Sequence, residues 1–401
     1  MNIYLIYIFL LWLISPVGSI FVMLFISNQL QLSKSNLKFL SFLIAASLAL
    51  LAFTQKSISV GIDTDIQRYY DEFSYLEGNS INILPLLFSD NLLTYTFTFI
   101  NAVLVIASGN VQMISLFWIF VIYYFHFNTF WIICEKEGIE LNKTNIFLIL
   151  VFSIFGAILF TQITETIKNA VAITLFFYVL IKHIYGWPIY KTLISLFLII
   201  GIHSMVLMLI PMFFYKKFNY KVLTAILILV FFTSPFINIM TISTMVIPDV
   251  GFFSLLREKA LDYSDFAGET SSKRYIIISF VLLIYSFILQ KKNIFNNNNK
   301  YINIVLLYML LMWINYNNSH AFIRFANFAH FFILWEFILL HKEYKLKSTV
   351  LSFFFIFFLL TNLQMTKGRT TPGNYASSYM DNSIAKVLFS NVYDYLKFEA
   401  Y

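Results

Sequence analysis

The stretch VGIDTDIQRYYDEF (60–73) places four acids, Asp63, Asp65, Asp71 and Glu72, beside Arg68 and two adjacent tyrosines, Tyr69 and Tyr70. Carboxylates accept hydrogen bonds from sugar hydroxyls and serve as general bases; a tyrosine offers a ring face and a hydroxyl. The set suits a sugar-binding or catalytic loop. The plainer reading is a solvated loop with turn residues such as Gly61 and Asp63.

Three further places carry chemistry-bearing residues. In TQITETIKNAVAITLFF (161–177), Glu165 and Lys168 stand three apart, a spacing that pairs them on one helical face. Lys168 is then either half of a helix-end ion pair or a phosphate contact near the bilayer surface. His203 sits in IIGIHSMVLM, between Gly201 and Ser204. A broken helix at membrane depth is tolerated where it lines protein or a wet cavity, and an imidazole there can trade protons or donate to phosphate; its bland role is packing. His320, Arg324 and Asn327 follow at offsets of four and three in NNSHAFIRFANFAHFF, one helical face able to grip a diphosphate. Arg257 and Gly268 lie in a segment with Glu258, Asp262, Asp265 and Glu269, a weak pattern by itself. The six histidines form no metal-ligand spacing, and neither a P-loop nor Gly-x-Gly-x-x-Gly occurs. The expected reaction uses no metal, no ATP and no dinucleotide.

The elements that position these residues are membrane helices. The 401-residue chain is 60% hydrophobic and 12% charged, against about 25% charged in a soluble domain. Apolar segments long enough to cross a bilayer recur from end to end. The pattern predicts an all-α polytopic membrane protein, a single integral membrane domain over 1–401. Expected spans are 4–26, 39–53, 111–134, 145–160, 166–182, 222–241, 275–290, 301–317, 322–340 and 348–364. Residues 92–109, with Asp90 as a cap, read as an interfacial or re-entrant helix within an outer loop, 54–110. Residues 190–217 read as a helical hairpin bent near Gly201–Ser204. The lone Cys134 excludes a disulfide framework within the chain. The net charge of +7 is spread over short loops, where it orients helices rather than binding nucleic acid.

Six lysine-bearing segments, around Lys34, Lys136, Lys182, Lys216, Lys291 and Lys342, all reach the cytoplasm if there are about twelve membrane segments and both termini lie outside. A large loop (242–274) and a C-terminal tail (365–401) then fall outside too. So do all five arginines, Arg68, Arg257, Arg274, Arg324 and Arg369. Lysine sets topology, while arginine sits where a planar fork can hold phosphate or carboxylate.

Taken in order, VGIDTDIQRYY (60–70), ETIKNAVAITLFFYVL (165–180), GIHSMVLMLIPMFF (201–214) and IRFANFAHFF (323–332) resemble the EpsG-like branch of the Wzy-type polysaccharide polymerases, which include O-antigen polymerases. The resemblance spans roughly residues 50 to 340. It departs from the family pattern at Lys168 and Asn169, where Arg and Gln are usual; lysine keeps the charge but loses the fork. The resemblance implies a fold like the membrane core of lipid-dependent GT-C-like glycosyltransferases. It also implies work at the periplasmic face of the bacterial inner membrane. A glycan on undecaprenyl diphosphate is moved onto a lipid-linked repeat unit, undecaprenyl diphosphate leaves, and a chain-length regulator is an expected partner. In that scheme Lys168, Arg324 and Arg257 or Arg68 hold diphosphate, with His320 beside Arg324. His203 donates to the diphosphate or orients the acceptor. Asp63 or Asp65 takes the acceptor's proton, and Tyr69 and Tyr70 face the glycan. A lipid-linked oligosaccharide flippase, an O-antigen ligase and a polytopic acyltransferase are the alternatives.

Overall fold

A computed structural model describes residues 3–29, 32–57, 65–77, 94–154, 160–236, 239–250, 254, 257–258, 261, 273–291, 300–344, 377–380 and 383–398. They are overwhelmingly helical, in keeping with an all-α membrane protein. By their contacts the residues group into two compact units. One is Met1–Ser204 with Lys347–Tyr401; the other is Met205–Leu346.

Among the described residues three helices are long and apolar enough to cross a membrane, and the first unit is built on them: α3 (Lys34–Phe53), α6 (Met113–Lys136) and α9 (Ile167–Ile184). At 1.5 Å per residue, 20 residues extend about 30 Å, the thickness of a bilayer's hydrocarbon. Helix α6 packs against both α3 and α9. Lipid tails are as apolar as leucine, so burial alone cannot hold membrane helices together; close approach and polar ties must contribute. Helix α3 supplies a small-residue stripe, Ser41, Ala45, Ala49 and Ala52, each at most 1% exposed. Ser41 Oγ accepts the Trp131 indole N–H of α6 at 2.9 Å. Helix α6 answers with bulk: Trp118, Tyr123, Phe127 and Phe130 are all buried.

Polar ties sort the helix ends. Lys34, at the start of α3, pairs with Glu135 near the end of α6 at 2.5 Å. The hydroxyl of Tyr185, just past α9, donates to Glu137 at 2.6 Å. At the opposite end, Gln112 Nε2 donates to the Phe53 carbonyl at 2.6 Å, joining the end of α3 to the start of α6. So α3 runs antiparallel to α6, and α9 parallel to it. The ends rich in lysine lie together, and the start of α9, with Lys168, lies at the other end.

Elsewhere the sequence-based spans are adjusted. The 4–26 span is two helices, α1 (Ile3–Ile14) and α2 (Pro16–Gln29), because Pro16 has no N–H to continue the ladder. The bonds Ser15 N–H to Leu11 and Ser19 N–H to Ser15 flank the interruption at 2.8 Å each. Residues 65–73 of the expected outer loop are a helix, α4 (Asp65–Phe73), followed by a 3-10 turn, Ser74–Leu76. The helix within 92–109 is α5 (Tyr95–Ser108), with Thr94 at its N-cap position; Asp90, the expected cap, lies outside the described residues. Helix α7 (Lys143–Phe152) packs on α2. A short helix, α8 (Phe160–Glu165), precedes α9. The chain breaks after α10 (Ile189–Ile200), at Gly201–His203, as the bent segment required, but it continues as a 3-10 helix, Ser204–Lys217, with Pro211 inside it.

The second unit contains α11 (Tyr220–Thr233), α12 (Ile239–Val246), α13 (Lys273–Lys291), α14 (Lys300–Ile314) and α15 (Ser319–Tyr344). Helix α14 packs between α11 and α15. The expected span 348–364 lies outside the described residues.

One two-stranded ribbon completes the first unit. Strand β1 (Gln55–Ser57) pairs antiparallel with β2 (Ser377–Tyr379), Gln55 opposite Tyr379 and Ser57 opposite Ser377. After β2 the chain turns at Met380, the one non-glycine residue with positive φ among those described (46°). Two short helices follow, α16 (Ile384–Phe389) on α2 and α17 (Val392–Leu396) on α3. Met380, Tyr395, Val17 and Leu50 share a small buried cluster there.

Candidate active site

The stretch 65–73 is helical because its apolar residues recur at helical spacing. Ile66, Tyr69, Tyr70 and Phe73 are buried on one side, and the charged residues turn outward. Helix α4 is then pinned to the bundle. The Tyr70 hydroxyl lies 2.5 Å from Ser115 Oγ on α6. Glu77 accepts the Val111 N–H just ahead of α6 at 2.8 Å. Burial pushes the Tyr70 phenol above its ordinary value, with the Ser115 hydrogen bond opposing. Tyr70 is 1% exposed, so its ring is a foundation rather than an open sugar platform.

Its neighbour is the hub. The Tyr69 ring packs edge-on to Phe97 of α5 at 5.1 Å. Lys168 Nζ lies 5.4 Å from the Tyr69 ring centre and 5.5 Å from that of Phe97. The Arg68 guanidinium lies 5.8 Å from the Tyr69 ring centre. Two cations from segments a hundred residues apart in sequence thus flank one ring, each attracted by its quadrupole. Phe97 in turn stacks on Trp118 at 5.4 Å, and the Trp118 indole donates to Asn101 at 2.7 Å. The platform beneath the cations is therefore rigid.

Arg68 also pairs with Asp65 one turn earlier at 2.5 Å. Burial works against its charge, but Asp65, then Tyr69 and Glu72, outweigh it and hold the guanidinium above its usual value. The chain bends at Thr166, between α8 and α9, so positions 165 and 168 stand on successive helices rather than on one continuous helix; the side chain of Glu165 is outside the described residues.

His203 is brought near through the backbone. The Gly201 carbonyl accepts the N–H groups of Thr96 and Phe97 at 2.8 and 3.2 Å, capping the start of α5. Tyr95 OH reaches the Phe197 carbonyl at 2.6 Å. A side chain at Gly201 would collide with Thr96 and Tyr95, so glycine permits this approach. His203, two residues on and partly exposed, follows the segment that holds Phe97.

Asp63 and Gly268 lie outside the described residues. The remaining expected site residues belong to the second unit. Arg257 pairs with Asp249 at 2.7 Å and donates to the Thr244 carbonyl at 2.9 Å, partners that the nearby acids in sequence did not indicate. Helix α15 places positions 320, 324 and 327 at the expected offsets, with Arg324 partly exposed; the side chains of His320 and Asn327 are outside the described residues. Among the described residues no cluster of three His, Cys, Asp or Glu side chains stands ready for a metal.

Sequence reasoning missed Phe97, Ser115 and Trp118. No local motif marks them. The buried face of α4 was nonetheless readable as a helix from the spacing of Ile66, Tyr69, Tyr70 and Phe73.

Comparison with known proteins agrees with the family resemblance. Searches among curated proteins and among solved structures give no match. The EpsG family model, by contrast, matches residues 38–379, from within α3 to the end of β2 and across every element that builds the cation platform. The chain belongs to the EpsG family.

Proposed function

We propose that this membrane protein polymerises undecaprenyl-diphosphate-linked oligosaccharide repeat units into O-antigen or a similar surface polysaccharide. The work takes place at the periplasmic face of a bacterial inner membrane. The finer topology, about twelve membrane segments with a core like that of lipid-dependent glycosyltransferases, belongs to the same reading. The observation that carries it is the gathering of Arg68 and Lys168 around the Tyr69 ring, at the end of the bundle away from the clustered lysines.

The chemistry needs little else. An acceptor sugar hydroxyl attacks the donor's anomeric carbon, the bond from that carbon to the diphosphate oxygen breaks, and the electron pair leaves with undecaprenyl diphosphate. Negative charge grows on the departing oxygens, where fixed cations lower the barrier most. Lys168 and Arg68 fill that role, and neither ATP nor a metal is required. Asp63 receives the hydroxyl proton. Asp65 is the second candidate base, but its carboxylate is engaged by Arg68. His203 orients the acceptor or donates to the diphosphate. A single displacement of this kind inverts the anomeric centre. The donor and acceptor glycolipids and the bilayer are the required partners, with a chain-length regulator alongside.

The test is a deletion strain together with purified protein in lipid nanodiscs. Deletion is expected to leave single repeat units on the surface. Purified protein is expected to lengthen a lipid-diphosphate oligosaccharide while releasing undecaprenyl diphosphate. Lipid-linked units trapped inside the cell would instead indicate a flippase. Loss of every repeat unit from the lipid A core would indicate a ligase.

A further inference from the structure

Residues 377–380 come some two hundred positions after Lys168, yet they touch β1, which precedes α4 in the chain, and α8, which precedes α9. On one side β2 pairs with β1, and β1 leads toward α4 with Asp65, Arg68 and Tyr69. On the other, the Tyr379 hydroxyl lies 2.8 Å from Thr164 Oγ1, and its ring packs 5.3 Å from Phe160. Thr164 is fully buried on α8. Helix α8 passes through the bend at Thr166 into α9, whose second residue is Lys168. Helix α8 also packs against α4.

A six-residue helix cannot fix its own direction; tertiary contacts must do so. The C-terminal segment is well placed to supply one because it is itself held firmly. Met380 is buried beside Val17, Leu50 and Tyr395. Lys56 lies 4.7 Å from the Phe398 ring centre, and Gln112 donates to the Phe398 carbonyl at 3.0 Å. Ser15 donates to the Leu388 carbonyl.

We propose that Tyr379 is a positioning residue. Through Thr164 it sets the direction of α8 and the height of Lys168 over the Tyr69 and Phe97 rings, so that β2 fixes the spacing of the two cations. This rests on reading Lys168 and Arg68 as diphosphate-holding groups. Tyr379→Phe removes only the hydroxyl and keeps the ring on Phe160. Thr164→Val removes the other partner, and Thr164→Ser restores a hydroxyl.

The experiment measures binding of inorganic pyrophosphate to the full-length protein in nanodiscs by calorimetry, beside its melting temperature. Tyr379→Phe and Thr164→Val are each expected to weaken pyrophosphate about tenfold, one hydrogen bond's net worth. Melting should be nearly unchanged, and Thr164→Ser should bind within about twofold of the wild type. Unchanged binding in Tyr379→Phe, with Lys168→Met and Arg68→Gln each weakened, would overturn the positioning role and leave the diphosphate site standing. Unchanged binding in all of them would overturn the site reading as well. Weakening that merely tracks a fall in melting temperature would reduce Tyr379 to a packing residue and also refute the proposal.

Discussion

Lys168→Met separates charge from packing. The methionine keeps an unbranched apolar stem and removes the ammonium that sits 5.4 and 5.5 Å from two ring centres. A cation–π contact contributes about 0.5–1 kcal/mol when partly exposed, and Lys168 is partly exposed, so two such contacts forfeit about 1–2 kcal/mol. A thioether against the same rings returns about 0.3–1.5 kcal/mol per contact. The net stability change is therefore at most about 1–2 kcal/mol, well inside an ordinary fold's margin of about 5–15 kcal/mol. The functional change is larger. On the proposed function, a hydrogen bond from the Lys168 ammonium to the departing diphosphate would contribute about 1.5–3 kcal/mol, and its loss would slow turnover about 10- to 150-fold. The assay is the polysaccharide length ladder of a deletion strain complemented with each variant, with membrane abundance measured in parallel. Lys168→Met should reach normal abundance and yield mostly single units. Lys168→Arg, which keeps the charge, should restore the ladder. Full-length polymer from Lys168→Met at normal abundance would refute the charge argument. Loss of the protein from the membrane would show that the side chain acts in folding.

Three further outcomes follow from the geometry. Tyr70 is kept protonated by burial, so its folded-state value lies above the unfolded one. The stability it confers is intact below the ordinary tyrosine range and declines above it, by up to about 1.4 kcal/mol for each pH unit beyond about 10. Thermal melts in detergent from pH 8 to 11.5 should fall less steeply for Tyr70→Phe than for the wild type. Gly201→Ala should cost about 1–3 kcal/mol, because the added methyl displaces Tyr95 and Thr96 from the start of α5; a lowered melting temperature and weaker pyrophosphate binding check it. Trp118→Phe keeps a stack on Phe97 but removes the donor to buried Asn101. It should lower stability by about 1–3 kcal/mol, read as a shorter half-life at elevated temperature.

Legibility differed from element to element. Helices α3, α6 and α9 stand out in the sequence because long apolar runs end in lysines, and each expected span falls within a few residues of the helix observed. The break after α10 was equally plain, since Gly201 interrupts an apolar run. Helix α4 was concealed by its charge density. An acid-rich stretch reads as solvated loop unless the four buried residues at helical spacing are weighed against it. The three-residue offset from Glu165 to Lys168 assumes one continuous helix, and the bend at Thr166 that divides it leaves no sharp mark such as proline or glycine. What sequence could not supply was long-range pairing. Nothing near Lys168 announces Tyr69, and nothing near Thr164 announces Tyr379, 215 residues on. Such partners are set by how α4, α5 and α8 pack together.

The ribbon of β1 and β2 also bears on how the chain is made. The first unit is discontinuous: Met1–Ser204 must wait for Lys347–Tyr401 before its last contacts form. A ribosome delivering about 5–20 residues per second synthesises the 142-residue second unit in the interval. During those seconds β1 has no partner strand, Gln112 lacks its Phe398 acceptor, and α8 has no Tyr379 against it. The first unit of a nascent chain is therefore incomplete until its last few dozen residues emerge and bring β2 and Phe398 to their partners.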